Sequence, residues 1–267
     1  MPASEAGDFA RDAVKLAEAV QAAGEIALRT FRAPIRSWTK DYNSPVSEAD
    51  MAVDAYLREA LAEPGTGWLS EETRDDRKRI GRRRVHIVDP IDGTRAYLAG
   101  FPDWSISAAL VQDGRPVAAA LYAPVSGELF VAAAGAGATR NGTTIAANAG
   151  AELAGAILAG PKRYQDTVAA RVPQIRIAAK IHSLALRLTR VAHGAVDVAF
   201  ASANSRDWDL AAADLLVHEA GGALTDAVGE TVVYNLHDPV HGMLIAAGRP
   251  RHERMLDLVR DHRNSFA

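Results

Sequence analysis

The sequence predicts a fold of mixed α+β and α/β class, with two helices over an antiparallel sheet in its first half and strands and helices alternating in its second. Three observations carry this. Phe9, Ala13, Leu16, Val20, Ala23, Ala27 and Phe31 recur three and four apart, the apolar stripe of one long helix. Short apolar runs at Ser105–Gln112, 116–122 and 129–134 are broken by Asp113-Gly114, by residues 124–127 and by residues 135–137, which reads as an antiparallel meander. Beyond residue 156 the pattern alternates, with strands at 157–159 and 175–179, a helix at 183–194, a strand at 196–201 and a helix at 210–220 stopped by Gly221-Gly222. Strands at 223–225 and 243–247 and a last helix at 251–262 follow.

In chain order, the first helix carries packing and no chemistry. After the polar connection Lys40-Asp41-Tyr42-Asn43-Ser44-Pro45-Val46, Ser47-Glu48-Ala49-Asp50 opens a second helix that turns Val53, Leu57 and Leu61 inward. Asp50 has two readings: the acid of a capping box, or a group that does chemistry. Glu71 and Glu72 follow Trp68-Leu69-Ser70, and adjacent carboxylates need a cation, hydrogen-bond donors or solvent. Residues 74–84, rich in Arg and Lys, read as a solvated loop; the sharper alternative is a mobile basic flap that draws in a substrate with more than one phosphate.

The strand Val85-His86-Ile87-Val88 then delivers Asp89-Pro90-Ile91-Asp92-Gly93-Thr94, two carboxylates three apart at a strand end. Such a pair suits Mg²⁺, which takes oxygen ligands at about 2.0–2.1 Å and is shared between one or two carboxylates and a substrate phosphate. Pro90 stiffens the turn, Gly93 lets a ligand approach the backbone, and a helical turn opened by Thr94 would point free N–H groups at an anion. Without a ligand the same residues make an ordinary turn. Asp207-Trp208-Asp209 stands at a second strand-to-helix junction, where Asp209 either accepts from the first helical turn or completes a metal site. The Ala- and Gly-rich stretch 148–155 marks a boundary between an N-terminal sub-domain, 1–147, and a C-terminal one, 148–267.

Composition narrows the function. At 267 residues the chain can bury a core without staples, and the absence of cysteine removes thiolate nucleophiles and cysteine-bound metal sites. A net charge of −3 does not suit a nucleic-acid binder. The start lacks a leader pattern and no run of eighteen apolar residues occurs, so the expectation is a cytoplasmic protein with no membrane partner. The eight histidines read as surface or packing residues, His86 beside its strand.

Together, Asp89-Pro-Ile-Asp-Gly-Thr94, Glu71-Glu72, Pro45-Val-Ser-Glu-Ala-Asp50, Trp208-Asp209-Leu-Ala-Ala and Glu219-Ala-Gly-Gly222 resemble, in order, the motifs of the inositol monophosphatase superfamily. The resemblance implies the layered α-β-α-β-α sandwich of the inositol monophosphatase and fructose-1,6-bisphosphatase type. It implies a Mg²⁺-dependent, lithium-sensitive phosphomonoesterase with two or three ions per site, Mn²⁺ being a substitute. By position, Glu71, Asp89, the Ile91 carbonyl, Asp92 and Asp209 are then the metal ligands. Asp50 and Thr94 orient and help deprotonate the attacking water, while Glu71 also holds a water. The phosphate and substrate contacts are Lys40, Asp92, the N–H groups of Gly93 and Thr94, and Asp209.

Lys40-Asp-Tyr-Asn-Ser-Pro-Val, Ser70, and Gly114-Arg-Pro-Val-Ala-Ala-Ala-Leu-Tyr-Ala-Pro124 are most similar to the 3'(2'),5'-bisphosphate nucleotidase branch, which converts adenosine 3',5'-bisphosphate to AMP and phosphate. Inositol-1-phosphatase and histidinol-phosphatase are the alternatives, favoured by Asp92-Gly-Thr-Arg-Ala-Tyr-Leu-Ala-Gly100 and Phe101-Pro102. Ala201-Ser202-Ala203 lacks the acid that grips an inositol hydroxyl, and His182 stands where the family commonly has Gly. A homodimer is the implied assembly and a small phosphate ester the implied partner. A regulatory or binding protein on the same scaffold is the alternative of another class, since some superfamily members contact the transcription machinery.

Overall fold

In the computed structural model, which describes residues 3–40 and 44–266, the long stripe forms α1, Ala3–Leu28. The connection expected over Asp41, Tyr42 and Asn43 lies outside the described residues. The helix stops before Phe31, which packs instead beyond its end on Tyr97 and Trp104, ring centroids 5.5 Å away in each case. A short hairpin, β1 (Ser37–Lys40) and β2 (Ser44–Ser47), leads into α2, Glu48–Ala60.

A seven-stranded sheet follows, made of β3 (Gly67–Ser70), β4 (Arg84–Asp92), β5 (Ser105–Gln112), β6 (Arg115–Ala123), β7 (Glu128–Ala133), β8 (Gly137–Arg140) and β9 (Thr143–Thr144), paired in that order. The meander β5-β6-β7 is antiparallel as expected and β4 joins it antiparallel to β5, but β3 lies parallel to β4. The reason is that the 74–84 segment crosses over rather than making a hairpin. It is also not a purely solvated loop: Arg79 is fully buried, bound to Asp75, the Asn235 side chain and the Leu236 carbonyl. The short helix α3, Thr94–Leu98, interrupts the sheet between β4 and β5.

The second sheet is built from β10 (Ile157–Ala159), β11 (Arg176–Ile177) and β12 (Val198–Ala201), with β14 (Gly222–Asp226) and β16 (Leu244–Gly248) completing the order β11-β10-β12-β16-β14. Between these strands run α4 (Lys162–Ala169), which the apolar periodicity did not announce, α5 (Leu184–Ala192) and α6 (Asp207–Glu219), and after β16 come α7 (Arg249–Asp261) and α8 (Arg263–Phe266). A two-stranded ladder of β13 (Ser205–Arg206) and β15 (Val240–His241) stands beside the start of α6. The strand expected over 175–179 shrinks to two residues at the sheet edge.

Three cores show the layering. Alternate residues of β5 go to opposite faces: Ile106, Ala108 and Leu110 pack with α1 and α2, whereas Ala109 and Val111 pack with α5 and α6. Leu210, Leu216 and Leu188 of those two helices meet Ala199, Leu224 and Ala246 of the second sheet on their far side. Tyr164, Met255 and Phe266 cover that sheet's outer face. The order of layers is helix, sheet, helix, sheet, helix. Small residues permit it: at Gly24 of α1 an added Cβ would sit 2.5 Å from the Tyr122 ring. Among the described residues no helix is long and apolar enough to cross a membrane.

Candidate active and metal site

The acids converge where the middle helices abut the end of β4. Pairing of β4 with β5 is regular up to Asp89–Ser107, becomes irregular across Pro90 and Ile91, and resumes at Asp92–Ser105. A proline cannot donate to the ladder, and such a bulge re-aims the side chains beside it. Asp89 and Asp92 therefore do not simply point to opposite faces of the sheet. Together with Asp209, from the first turn of α6, each offers a carboxylate oxygen within 4.8 Å of the others. Glu71, just past β3, lines the same cavity of about 290 Å³ with Gly93, Thr94 and Arg95.

Each acid is held differently. Asp92 accepts from the Ser183 hydroxyl at 2.5 Å and from the Ala185 and Leu184 N–H groups at 2.6 and 3.2 Å, so it caps α5. Asp209 accepts from the Arg206 N–H at 2.7 Å, the helix-start role foreseen for it, and that role leaves it inside the cluster. Asp89 is 1 % exposed, and its Oδ1 is buried with no hydrogen-bond partner. Burial, then Glu71, Asp92 and Asp209, hold the Asp89 carboxyl well above its usual range. Burial and then Asp92 do the same to Asp209, although part of its surface opens to the cavity. Burial raises Asp92 to about 6, opposed chiefly by its Ser183, Ala185 and Leu184 donors. A buried, unpartnered carboxylate oxygen amid three more acids is costly unless a cation arrives, and this oxygen-only donor set suits a hard divalent ion.

Asp50 and Thr94 meet as a pair. The Thr94 hydroxyl lies 3.1 Å from Asp50 Oδ1 and 3.0 Å from the Ile91 carbonyl, either of which can accept its single proton. Asp50 Oδ2 accepts from both the N–H and the hydroxyl of Ser47, at 2.8 and 2.5 Å. Capping and contact with the site thus coexist in one side chain. Burial raises the Asp50 carboxyl, against the Ser47 and Thr94 hydrogen bonds.

The Glu71-Glu72 pair finds a cation. Lys40 Nζ lies 2.6 Å from Glu72 Oε1 and 3.3 Å from Glu71 Oε1. Lys40 does not line the small cavity; it faces the adjoining cleft of about 1490 Å³, lined also by Arg74, Arg206, Trp208 and Glu71. Burial pushes Glu72 up to about 7 despite Lys40. Asp207 points elsewhere, accepting from Asn235 N–H at 2.8 Å and pairing with His241 at 2.6 Å. Glu219 is likewise remote, accepting from the N–H groups of Gly135 and Gly137 at 2.9 and 2.8 Å.

Gly93 connects the halves of the site. Its φ of +94° favours glycine, and a Cβ there would come 3.3 Å from the Ser183 nitrogen. Sequence reasoning missed Arg187, which lines the cavity, and Ser183, buried behind it on Asp92, and it noted His182 only as a departure from the family pattern. The amphipathic run after Ser183 marks it as a helix N-cap, but nothing local names Asp92 as its partner. His182, read as one of the surface or packing histidines, stacks on Phe101 and also lines the cavity.

A sequence profile of the inositol monophosphatase family matches residues 11–264. The chain belongs to that family. Among its relatives, the Nus factor SuhB of Xylella fastidiosa is 34% identical over 80% of this chain and 81% of its own length. Inositol monophosphatase 2 of Solanum lycopersicum is 33% identical over 79% and 86%. Among solved structures, the suppressor protein suhB of Bartonella henselae superposes with a TM-score of 0.78 at 28% identity, over 92% of this chain and 97% of that one. CysQ of Bacteroides thetaiotaomicron, a bacterial member of the family, gives 0.76 at 25% identity over 90% and 97%. The layered α+β fold of the family is therefore the fold of this chain, and membership places it among phosphatases of small phosphate esters.

Proposed function

We propose that this chain is a Mg²⁺-dependent, lithium-sensitive phosphomonoesterase acting by direct attack of water, with Glu71, Asp89, the Ile91 carbonyl, Asp92 and Asp209 as metal ligands. The unpartnered Oδ1 of Asp89, within reach of Asp92 and Asp209, carries this reading. Two or three Mg²⁺ ions, when bound, neutralise phosphoryl charge, acidify a water and stabilise the leaving oxygen, and Mn²⁺ supplies the same chemistry. The protein's own groups do the rest. Thr94, donating to Asp50, turns its lone pairs toward the attacking water, and the raised carboxyl of Asp50 serves as the eventual proton acceptor. The leading N–H groups at Gly93 and Thr94 lack intrahelical partners and hold phosphate oxygens. Lys40 acts by neutralising the glutamate pair as well as by contacting substrate.

For the substrate we propose a 3'(2'),5'-bisphosphate nucleotide, adenosine 3',5'-bisphosphate giving AMP and phosphate. Two features support a second phosphate: Arg187 lines the cavity with its Nε buried and unpartnered, and the adjoining cleft carries Arg74, Arg77 and Arg206 with Trp208. The similarity to a plant inositol monophosphatase favours inositol-1-phosphate as the second reading. Phosphate release with Mg²⁺ from adenosine 3',5'-bisphosphate, inositol-1-phosphate and histidinol phosphate decides it. A hundredfold preference for the inositol ester would overturn the nucleotide, and Asp89→Asn leaving turnover intact would overturn the enzyme in favour of a binding protein. The proposal includes a homodimer in the cytoplasm and the sub-domain division at 147/148.

A further inference from the structure

The segment entering α5 carries chemistry that the carboxylate cluster does not use. His182 lines the cavity shared by Asp89, Asp92, Gly93 and Thr94. It precedes Ser183, whose hydroxyl reaches Asp92 and whose backbone packs on Gly93, so the close contact that shapes the cavity also brings the imidazole to its wall. The ring is fixed from two sides. Asp103 sits 2.8 Å from Nδ1 and accepts from the His182 N–H at 2.6 Å. Phe101 stacks on the ring, centroids 5.0 Å apart and planes inclined by 16°. With Nδ1–H committed to a carboxylate, Nε2 remains for a ligand: an acceptor in the neutral ring, a donor in the imidazolium.

Cleaving an alkyl phosphate expels an alkoxide that must gain a proton. Resting on the phosphatase reading above, we propose that His182 is the general acid that protonates the leaving oxygen, with Asp103 as its positioning residue. As the bond from phosphorus to the attacking water oxygen forms, the bond to the leaving oxygen breaks and that oxygen takes the Nε2 proton. The proton of the attacking water goes to the Thr94-Asp50 pair, and solvent restores the imidazolium. Asp103 keeps the Nδ1 proton throughout, holding one tautomer as the aspartate of a catalytic triad does. Lys180, Arg187 and Arg95 also line this wall, but a guanidinium does not give up its proton, and the imidazole is the side chain best suited to proton transfer.

A general acid matters in proportion to the basicity of the leaving group. The Mg²⁺-loaded wild-type protein, His182→Asn, His182→Gln and Asp103→Asn are assayed on 4-nitrophenyl phosphate, whose phenolate leaves without a proton, and on glycerol 2-phosphate, whose alkoxide does not. The His182 variants are expected to lose about 100-fold in kcat on the alkyl ester and no more than about threefold on the aryl ester. Asp103→Asn is expected to shift the alkyl-to-aryl ratio the same way by about tenfold. Equal losses on the two esters, or none, from variants whose Tm matches wild type would overturn the proposal while leaving the phosphatase reading in place. A wild-type protein inert toward both esters, and toward adenosine 3',5'-bisphosphate, inositol-1-phosphate and histidinol phosphate as well, would overturn both.

Discussion

Two sites of buried carboxylate in this molecule, one acid at Glu128 and three at Asp89, Asp92 and Asp209, are treated in opposite ways. Glu128, at the start of β7, is met by Arg190 of α5 at 2.6 Å, by Arg140 at 2.9 Å and by the Ser126 hydroxyl at 2.8 Å. Its hydrogen bond to Arg190 is the main cause that brings its carboxyl down to about 2. Among the described residues Asp89, Asp92 and Asp209 make no such ion pair: Arg187 and Arg206 act on Asp92 or Asp209 only at longer range, and burial drives all three upward. The fold can pair a buried acid with arginine when the acid is there to hold layers together. Where it leaves acids unpaired it has kept room for a cation from solution, at a cost to its own stability.

The largest expected effect breaks the acidic side of this comparison. Asp89→Asn should lower kcat by at least about 1,000-fold, as expected when a charge needed for metal catalysis is lost. In EDTA its Tm should equal or exceed that of wild type, because a buried carboxyl whose charged form is disfavoured has been replaced by a neutral amide; calorimetry checks this. Glu128→Gln should do the reverse. Urea unfolding should show a loss on the order of 3 kcal/mol, from arginines left without their partner, with kcat nearly unchanged.

The two sites also predict opposite pH limbs for the metal-free protein. Asp92 is raised from 3.8 to about 6, so its contribution is present below 3.8 and is lost as pH rises through about 6. Glu128 is lowered from 4.5 to about 2, so its contribution is present above 4.5 and is lost as pH falls toward 2. Thermal melts in EDTA should therefore weaken between pH 4 and pH 7, and Mg²⁺ should restore the loss at pH 7.5. The smallest effect belongs to the intermediate case. Glu72 has one oxygen on Lys40 and the other buried without a partner, and its carboxyl rises to about 7. Glu72→Gln should change stability by less than about 1 kcal/mol at neutral pH, since the side chain is already partly protonated there.

What could be read from the sequence was what short spacing decides. The bulged Asp-Pro-Ile-Asp turn, the helix opened by Ser47 with its Asp50 and the acid at the start of α6 all show their geometry within a few residues. Contacts between distant segments could not be read. Arg79 lies in a run that looks solvated because its partners, Asn235 and Leu236, come from more than 150 residues away. His182 looked like a departure from pattern because Asp103, 79 residues earlier, gives no local hint of pairing with it. The same holds for the cation on Glu71 and Glu72, which arrives on a hairpin 31 and 32 residues upstream.

Anomalous diffraction from a crystal soaked in Mn²⁺ and phosphate tests the central claim most directly. The account predicts peaks at about 2.2 Å from carboxylate oxygens of Asp89, Asp92, Asp209 and Glu71, with phosphate bound above them. A cluster without peaks at saturating Mn²⁺, or peaks bound elsewhere on the surface, would contradict it.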